Sequence, residues 1–403
     1  MARTNVPAIP GLLPDSQATK LLLRLLAVPG LSGTENQVVA LLRRELSQPG
    51  PSAGTLQADD AHRRSRLGGE VGNFVLRLPG TMRAPRRMLV AHMDTVPVCR
   101  GARPLQRGKR IIARDSDTGL GGDNRAGVAV LLCTALSILR NQLPHPPLTF
   151  LWTVQEEVGM HGSRHVRLGM LGKPKLAFNW DGGAAHSLKI GATGGYRMNI
   201  EIQGRASHAG GHPEEGVSAI AIASLAITDL VDHGWHGRIE KGRQSGTSNV
   251  GMIAGGEATN VVADSVHIRA EARSHNAKFR ERIVREIEKA FRKAALAIRN
   301  VAGTHGVVKF DGQLDYESFR LRRDDASVVA AAAAIEAEQG EPDYGLVNGG
   351  LDANWLSARG ISTVTLGCGQ NNIHTVDEWL NLTEFHRARR IAMRLATDRP
   401  TIP

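Results

Sequence analysis

Cysteine and aromatic residues are scarce in this chain of 403 residues, with three cysteines and only 4% Phe, Trp and Tyr together. Cys99, Cys133 and Cys368 are far apart, odd in number and form no CxxC. That spacing argues against a disulfide framework and a cysteine-built metal site, and it fits a reducing cytoplasm. Long apolar runs are also missing: none reaches the roughly 20 residues of a bilayer span, so no membrane partner is expected. The apolar stretch Leu21 to Val28 is interrupted by Arg24 and lacks a small-residue cleavage site, which reads as a helix and not a signal peptide. Acidic residues are in deficit, leaving a net charge of +11. The basic residues are scattered, and their densest cluster, Arg280 to Arg299, has interleaved glutamates like the solvated face of an amphipathic helix. No nucleic-acid-binding motif accompanies the charge, so nucleic acid is not expected as a partner.

What is present suits an α/β enzyme, and the length suggests two domains. The pattern predicts helices over about 15–28 and 35–47, with Ser32 and Glu35 resembling a capping box between them. Residues 50–70 are polar and loop-like. Strands are expected at 73–78, 87–91, 148–154 and 176–180, and a long apolar helix follows the glycine-rich loop Gly119 to Gly122. This alternation indicates a largely parallel sheet covered by helices. Near Gly194 the pattern changes to a small sheet with two helices, and after about Ser318 the first pattern returns. A second, α+β domain is therefore expected to be inserted into the first.

His92, Asp94, Asp123, Glu156, Glu157 and Asp181 all fall at the ends of expected strands or just after them. Open α/β sheets bind ligands outside the carboxyl ends of their strands, so one architecture would gather these remote residues. Taken singly, each has a structural reading. Asp123 opens a helix and suits an N-cap, and Asp181 before two glycines suits a turn. His145, His165 and His186 lack any supporting context and default to the surface. Together the acids and histidines match a two-metal hydrolase, which needs one His and one acid per ion plus a bridging carboxylate. His92, Asp123, Glu157, Asp181 and His374 supply that count. Asp94, two residues after His92, shares its face and could hold the free ring nitrogen. Glu156 could take a proton from the attacking water.

These motifs resemble the M20 metallopeptidase family along nearly the whole chain. Ala-His-Met-Asp-Thr-Val-Pro at 91–97 looks like its first metal motif, and Gly-Gly-Asp-Asn-Arg-Ala-Gly at 121–127 like its bridging-aspartate segment. Glu156-Glu157 followed by Gly159 and Gly162 resembles the general-base and ligand pair, Asp181 the next acid and His374 the last ligand. The stretch from Gly204 through His208 to Gly216 resembles the lid motif, whose histidine stabilises the oxyanion and typically reaches a dimer partner's site. Asn260 and Arg273 match substrate-binding lid positions, and Gly349, Gly350 and Asp352 resemble the substrate loop of the peptidase-T-like branch. That loop carries Leu351 where relatives have a small hydroxyl residue, and the lid motif reads His-Ala-Gly; both depart from peptidase T proper.

The resemblance implies a catalytic α/β domain at about 1–192 and 319–403, and a lid and dimerisation domain at 193–318. It implies hydrolysis of short peptides, as an aminopeptidase or dipeptidase, by water held between two Zn2+ ions, with Co2+ or Mn2+ also suited to the donors. A homodimer through the lid is implied as well. An N-acyl amino acid deacylase or carboxypeptidase is the alternative within the family, and Arg273 could clamp a carboxylate in either. An inactive basic binding protein on the same fold is the alternative outside it. That reading requires lost ligands, whereas His92, Asp94, Asp123, Glu156, Glu157, Asp181 and His374 are all present.

Overall fold

Alternating apolar strands and helices build the larger of two units in the computed structural model, which describes residues 9–49 and 54–398. This unit comprises Met1–Ala192, Arg320–Val347 and Leu351–Pro403; the other comprises Thr193–Phe319 and Asn348–Gly350. The core of the larger unit is a nine-stranded mixed sheet. Its central strands lie in the order Leu148–Thr153, Arg87–His92, Leu176–Trp180 and Thr363–Leu366, all parallel. Antiparallel strands flank them: Phe74–Leu78 on one side and Ser187–Ala192 on the other. The four central strands are buried at every position. Strands covered on both faces read as continuous apolar runs, which is why they stood out in the sequence.

The helix Gly122–Asn141 packs against Asp15–Leu26 and Leu382–Thr397. By length and composition it could cross a membrane, contrary to the expectation that no such segment exists, but almost all of it is buried inside this unit. Its two buried hydroxyls are satisfied locally: Thr134 and Ser137 donate to the carbonyls of Val130 and Cys133. The helix does not start as expected. Asp123 and Asn124 have non-helical backbone, and the amide of Gly127 donates to Asn124 Oδ1 at 3.0 Å. Asn124, not Asp123, is therefore the cap, and the Asp123 carboxylate is free for other contacts.

Other expectations need correction. Residues 50–70 are not wholly loop: Thr55–Ala58 is a strand and Ala61–Arg64 a helical turn, while residues 50–53 lie outside the described residues. A hairpin, Pro104–Arg107 with Arg110–Ala113, forms part of a separate four-stranded sheet with Gln370–Asn371 and Trp379–Asn381. His145 is buried, with Nδ1 at 2.7 Å from the Pro146 carbonyl. The helix Asn36–Ser47 has no side-chain cap, so the expected capping box is absent.

The smaller unit has a five-stranded antiparallel sheet in the order Gly237–Lys241, Gln244–Gly255, Ser265–Ser274, Gly194–Gln203 and Val307–Tyr316. Helices Ala219–Asp232 and Ala277–Ala297 cover one face, with Ile200, Ile268, Ile222 and Phe291 in the shared core. The basic cluster on the second helix is solvated except at its start. Arg280 is buried and pairs with Glu317 at 2.7 Å, because a buried guanidinium needs a counter-charge.

Candidate metal centre

Six side chains from five segments of the larger unit converge at the carboxyl end of its parallel strands. His92 ends its strand, Glu156 and Glu157 follow Leu148–Thr153, and Asp181 follows Leu176–Trp180. Asp123 precedes the long helix, and His374 sits at φ +64 in the segment between two short strands. A non-glycine residue in the left-handed region is worth a functional question.

Asp123 lies at the middle. Its Oδ1 is 3.1 Å from His92 Nε2, and its Oδ2 is 3.1 Å from His374 Nε2. Asp181 lies 4.0 Å from His92 Nε2, and Glu157 lies 3.1 Å from His374 Nε2. Three three-residue groups result, His92–Asp123–Asp181, Asp123–Glu157–His374 and His92–Glu156–Glu157, each with its donor atoms within 4.8 Å of one another. The first two share Asp123.

The electrostatics of this cluster suit cations. Burial, together with the neighbouring carboxylates, raises Glu156 and Asp181 well above the usual range, and Glu157 is raised too, mainly by burial. Burial works against Asp123, but hydrogen bonds from His374 and His92 hold it below that range. Those same bonds to Asp123 and Glu157 push His374 up to about 10. Carboxylates crowded in a low-dielectric site must take protons or accept a positive charge. The nitrogen and oxygen donor set fits a divalent ion such as zinc.

Asp94 organises the surroundings. Ring Nδ1 of His92 is 3.1 Å from its carbonyl and 3.4 Å from its Oδ1. Its carboxylate also accepts the amides of Glu156 at 3.0 Å and Glu157 at 3.2 Å, and the Ser32 hydroxyl at 2.6 Å. Two further residues were not singled out in the sequence. Glu378 accepts the amides of Leu120, Gly121 and Asp123, at 2.6 to 2.9 Å, and so holds the loop that presents Asp123. Asn124 donates to the Trp180 carbonyl at 2.7 Å and ties that loop to the start of Asp181. Their signal was only adjacency: Glu378 lies four residues after His374, and Asn124 directly follows Asp123.

The model of the peptidase family M20/M25/M40 matches residues 88–398. The chain belongs to this family. As an M20-family chain it is a peptide hydrolase. It is 30% identical to the uncharacterized protein YqjE of Bacillus subtilis, over 93% of this chain and 96% of the relative. Among solved structures it resembles a tripeptidase from Staphylococcus aureus, with TM-score 0.86 and 26% identity, covering 96% of this chain and 98% of that one. It also resembles the aminopeptidase PepT of Bacillus cereus, with TM-score 0.83 and 28% identity, covering 96% and 98%.

The remaining motif residues of this M20-family chain lie in two places. In the smaller unit, His208 pairs with Val261, and the Ala209 amide donates to the Asn260 carbonyl at 2.9 Å, so His208 and Asn260 are neighbours. The His208 ring accepts the amides of Gly210 and Gly211 at Nδ1, at 3.2 and 2.9 Å. An accepting Nδ1 leaves the proton of the neutral ring on Nε2. Arg273 is held by both oxygens of Glu271, at 2.9 and 3.0 Å, and its Nη1 is 3.5 Å from the Asn348 carbonyl beside Gly349 and Gly350. In the larger unit Asp352 is only 1% exposed, and its Oδ2 accepts the Thr153 hydroxyl. Burial raises its pKa, and its environment includes the charges of His92 and Asp94. Its charge acts on the buried acids Glu156 and Asp181.

Proposed function

We propose that the protein hydrolyses the amide bonds of short peptides at a centre of two divalent cations, with zinc the expected metal. One observation carries this reading: the two carboxylate oxygens of Asp123 each lie 3.1 Å from a different imidazole nitrogen. His92 and Asp181 would hold one cation, Glu157 and His374 the other, and Asp123 both. Bound there, the cations supply Lewis acidity to the scissile carbonyl and lower the pKa of a water toward about 7. Glu156 is the general base, taking the water's proton and passing it to the leaving amine. Asp94 fixes the ring of His92 through Nδ1, so that Nε2 faces the acids.

His208 is proposed as the donor to the tetrahedral oxyanion. Its Nδ1 already accepts two backbone amides, which supports an Nε2–H donor in the neutral ring. We assign Asn260, Arg273, Gly349, Gly350 and Asp352 to substrate binding. A homodimer through the smaller unit is supported by exposed apolar side chains on Ala219–Asp232, namely Ile220, Leu225 and Val231, and by Met252 and Ile253 on Gln244–Gly255. The three free, buried thiols support a reducing, cytoplasmic setting.

Aminopeptidase or tripeptidase activity is favoured by the names of the two similar solved structures. The test is a hydrolysis panel with the zinc-loaded protein: free-amine di- and tripeptides against N-acylated amino acids. Turnover of the free-amine peptides is expected. Turnover confined to N-acylated amino acids would make the protein a deacylase. No turnover of either by metal-loaded protein would contradict an active hydrolase.

A further inference from the structure

The loop Gly30 to Glu35 belongs to no metal motif, yet it meets the centre's supports at three points. The Gly30 carbonyl accepts the Thr95 amide at 3.2 Å and Arg125 Nη2 at 3.1 Å. Ser32 donates to Asp94 Oδ2 at 2.6 Å. Glu35 Oε1 accepts the amide of Gln155 at 2.9 Å, across 120 residues of sequence, and that of Gly33 at 2.9 Å.

Glu35 is fully buried, with a relative exposure of 0%. It stands at the N-terminus of Asn36–Ser47 but makes no capping bond. Its Oε2 has no hydrogen-bond partner among the described residues, and Asp94 adds a nearby negative charge. A buried carboxyl in that position costs free energy that an apolar side chain would not. Through Oε1 the carboxyl holds the amides of Gln155 and Gly33, and its charge acts on the buried Arg125.

Gln155 occupies the left-handed region at φ +54, where a non-glycine residue is strained. It is gripped at both ends: its amide by Glu35, and its Nε2 donating to the Gly68 carbonyl at 2.5 Å. The turn at Gln155 sends the next two amides, of Glu156 and Glu157, onto the two oxygens of Asp94. The direction of both glutamates therefore depends on a backbone conformation that Glu35 holds in place.

We propose that Glu35 is a positioning residue of the hydrolytic centre, acting through the left-handed turn at Gln155 on Glu156 and Glu157. This rests on Glu156 being the base and Glu157 a metal ligand. Loss of the Glu35 acceptor leaves the Gln155 amide buried without a partner and lets the turn relax. Both glutamates then leave their productive positions, so turnover and metal affinity fall together while peptide binding does not.

The experiment compares Glu35→Gln, Glu35→Asp and Glu35→Ala in the full chain, with kcat, KM, zinc affinity and thermal midpoint measured for each. Glutamine keeps an acceptor oxygen at the same reach and is expected within about threefold of wild type. Aspartate keeps the charge but withdraws the oxygen by one methylene. It and alanine are expected to lose about 10- to 100-fold in kcat and to bind zinc correspondingly more weakly, with KM unchanged. Glu338→Ala is the control: Glu338 anchors Arg390 and Arg394 at 2.7 Å each, remote from the centre in the contacts it makes. It should lower the thermal midpoint and leave kcat unchanged. If Glu35→Ala does not fold, Glu35→Asp against Glu35→Gln decides the matter. Aspartate and glutamine variants with equal, near-normal kcat at saturating zinc would overturn the proposal. Glu156→Gln in parallel separates the two claims: if it keeps its rate the base assignment fails, whereas if it is inactive and Glu35→Asp is not, only the role of Glu35 fails.

Discussion

Adjacent residues on an irregular segment can serve different partners, and Glu156 and Glu157 are such a pair. Glu157 lies 3.1 Å from His374 Nε2, within the group that shares Asp123, while Glu156 makes no side-chain hydrogen bond to either histidine among the described residues. Glu156→Gln is therefore expected to reduce kcat by about 100- to 10,000-fold. Metal content, measured by elemental analysis, should stay near wild type. Glu157→Gln should lose metal instead. Near-normal turnover in Glu156→Gln would remove it from the role of base.

At the level of elements, close approach at the start of the long helix decides what the sequence can tolerate. A Cβ on Gly127 would come within 2.4 Å of Asn124 Oδ1 and of the Trp180 carbonyl oxygen. Gly to Ala in a helix normally stabilises by up to about 1 kcal/mol. Here the clash, with one backbone atom and one bonded side chain, outweighs that gain, since overpacking typically costs about 1–3 kcal/mol. Gly127→Ala should lower the urea midpoint, and a raised or unchanged midpoint would show that the contact yields freely. The strands that carry the site were legible because burial on both faces makes them continuous apolar runs, and the acids that end them were visible for the same reason. The supports were harder to see. Ser32 and Glu35 have the spacing of a local capping box, but each is bonded to a residue far along the chain. Asp123 looked like a helix cap because it follows glycines, but the neighbouring Asn124 caps the helix. Glu378 and Gln155 carry no local pattern at all; only the folded chain brings their partners near. The hairpin at 104–113 has too little apolar alternation to separate it from a loop.

For the whole molecule, the two units carry different parts of the proposed chemistry: the metal ligands and base lie in one, His208 in the other. If His208 acts across a homodimer, activity is a property of two chains. Loss of one oxyanion donor costs roughly 100- to 1000-fold in rate, so His208→Ala and Glu156→Gln should each be nearly inactive alone. Mixed in equal amounts and allowed to exchange subunits, they should regain roughly a quarter of wild-type activity, because half of the dimers are hybrid and each hybrid has one complete site. Confirmed exchange without recovered activity would place His208 outside the partner's site.

Asp123 is shared between the two proposed metal groups, and metal stoichiometry depends on that sharing. Protein stripped with chelator, reloaded with saturating zinc and freed of excess is measured by elemental analysis. Two equivalents per chain are expected, with Asp123→Ala losing both ions because the two proposed ligand sets, His92–Asp123–Asp181 and Asp123–Glu157–His374, both include that carboxylate. One equivalent or none in the wild-type protein would contradict the two-metal centre.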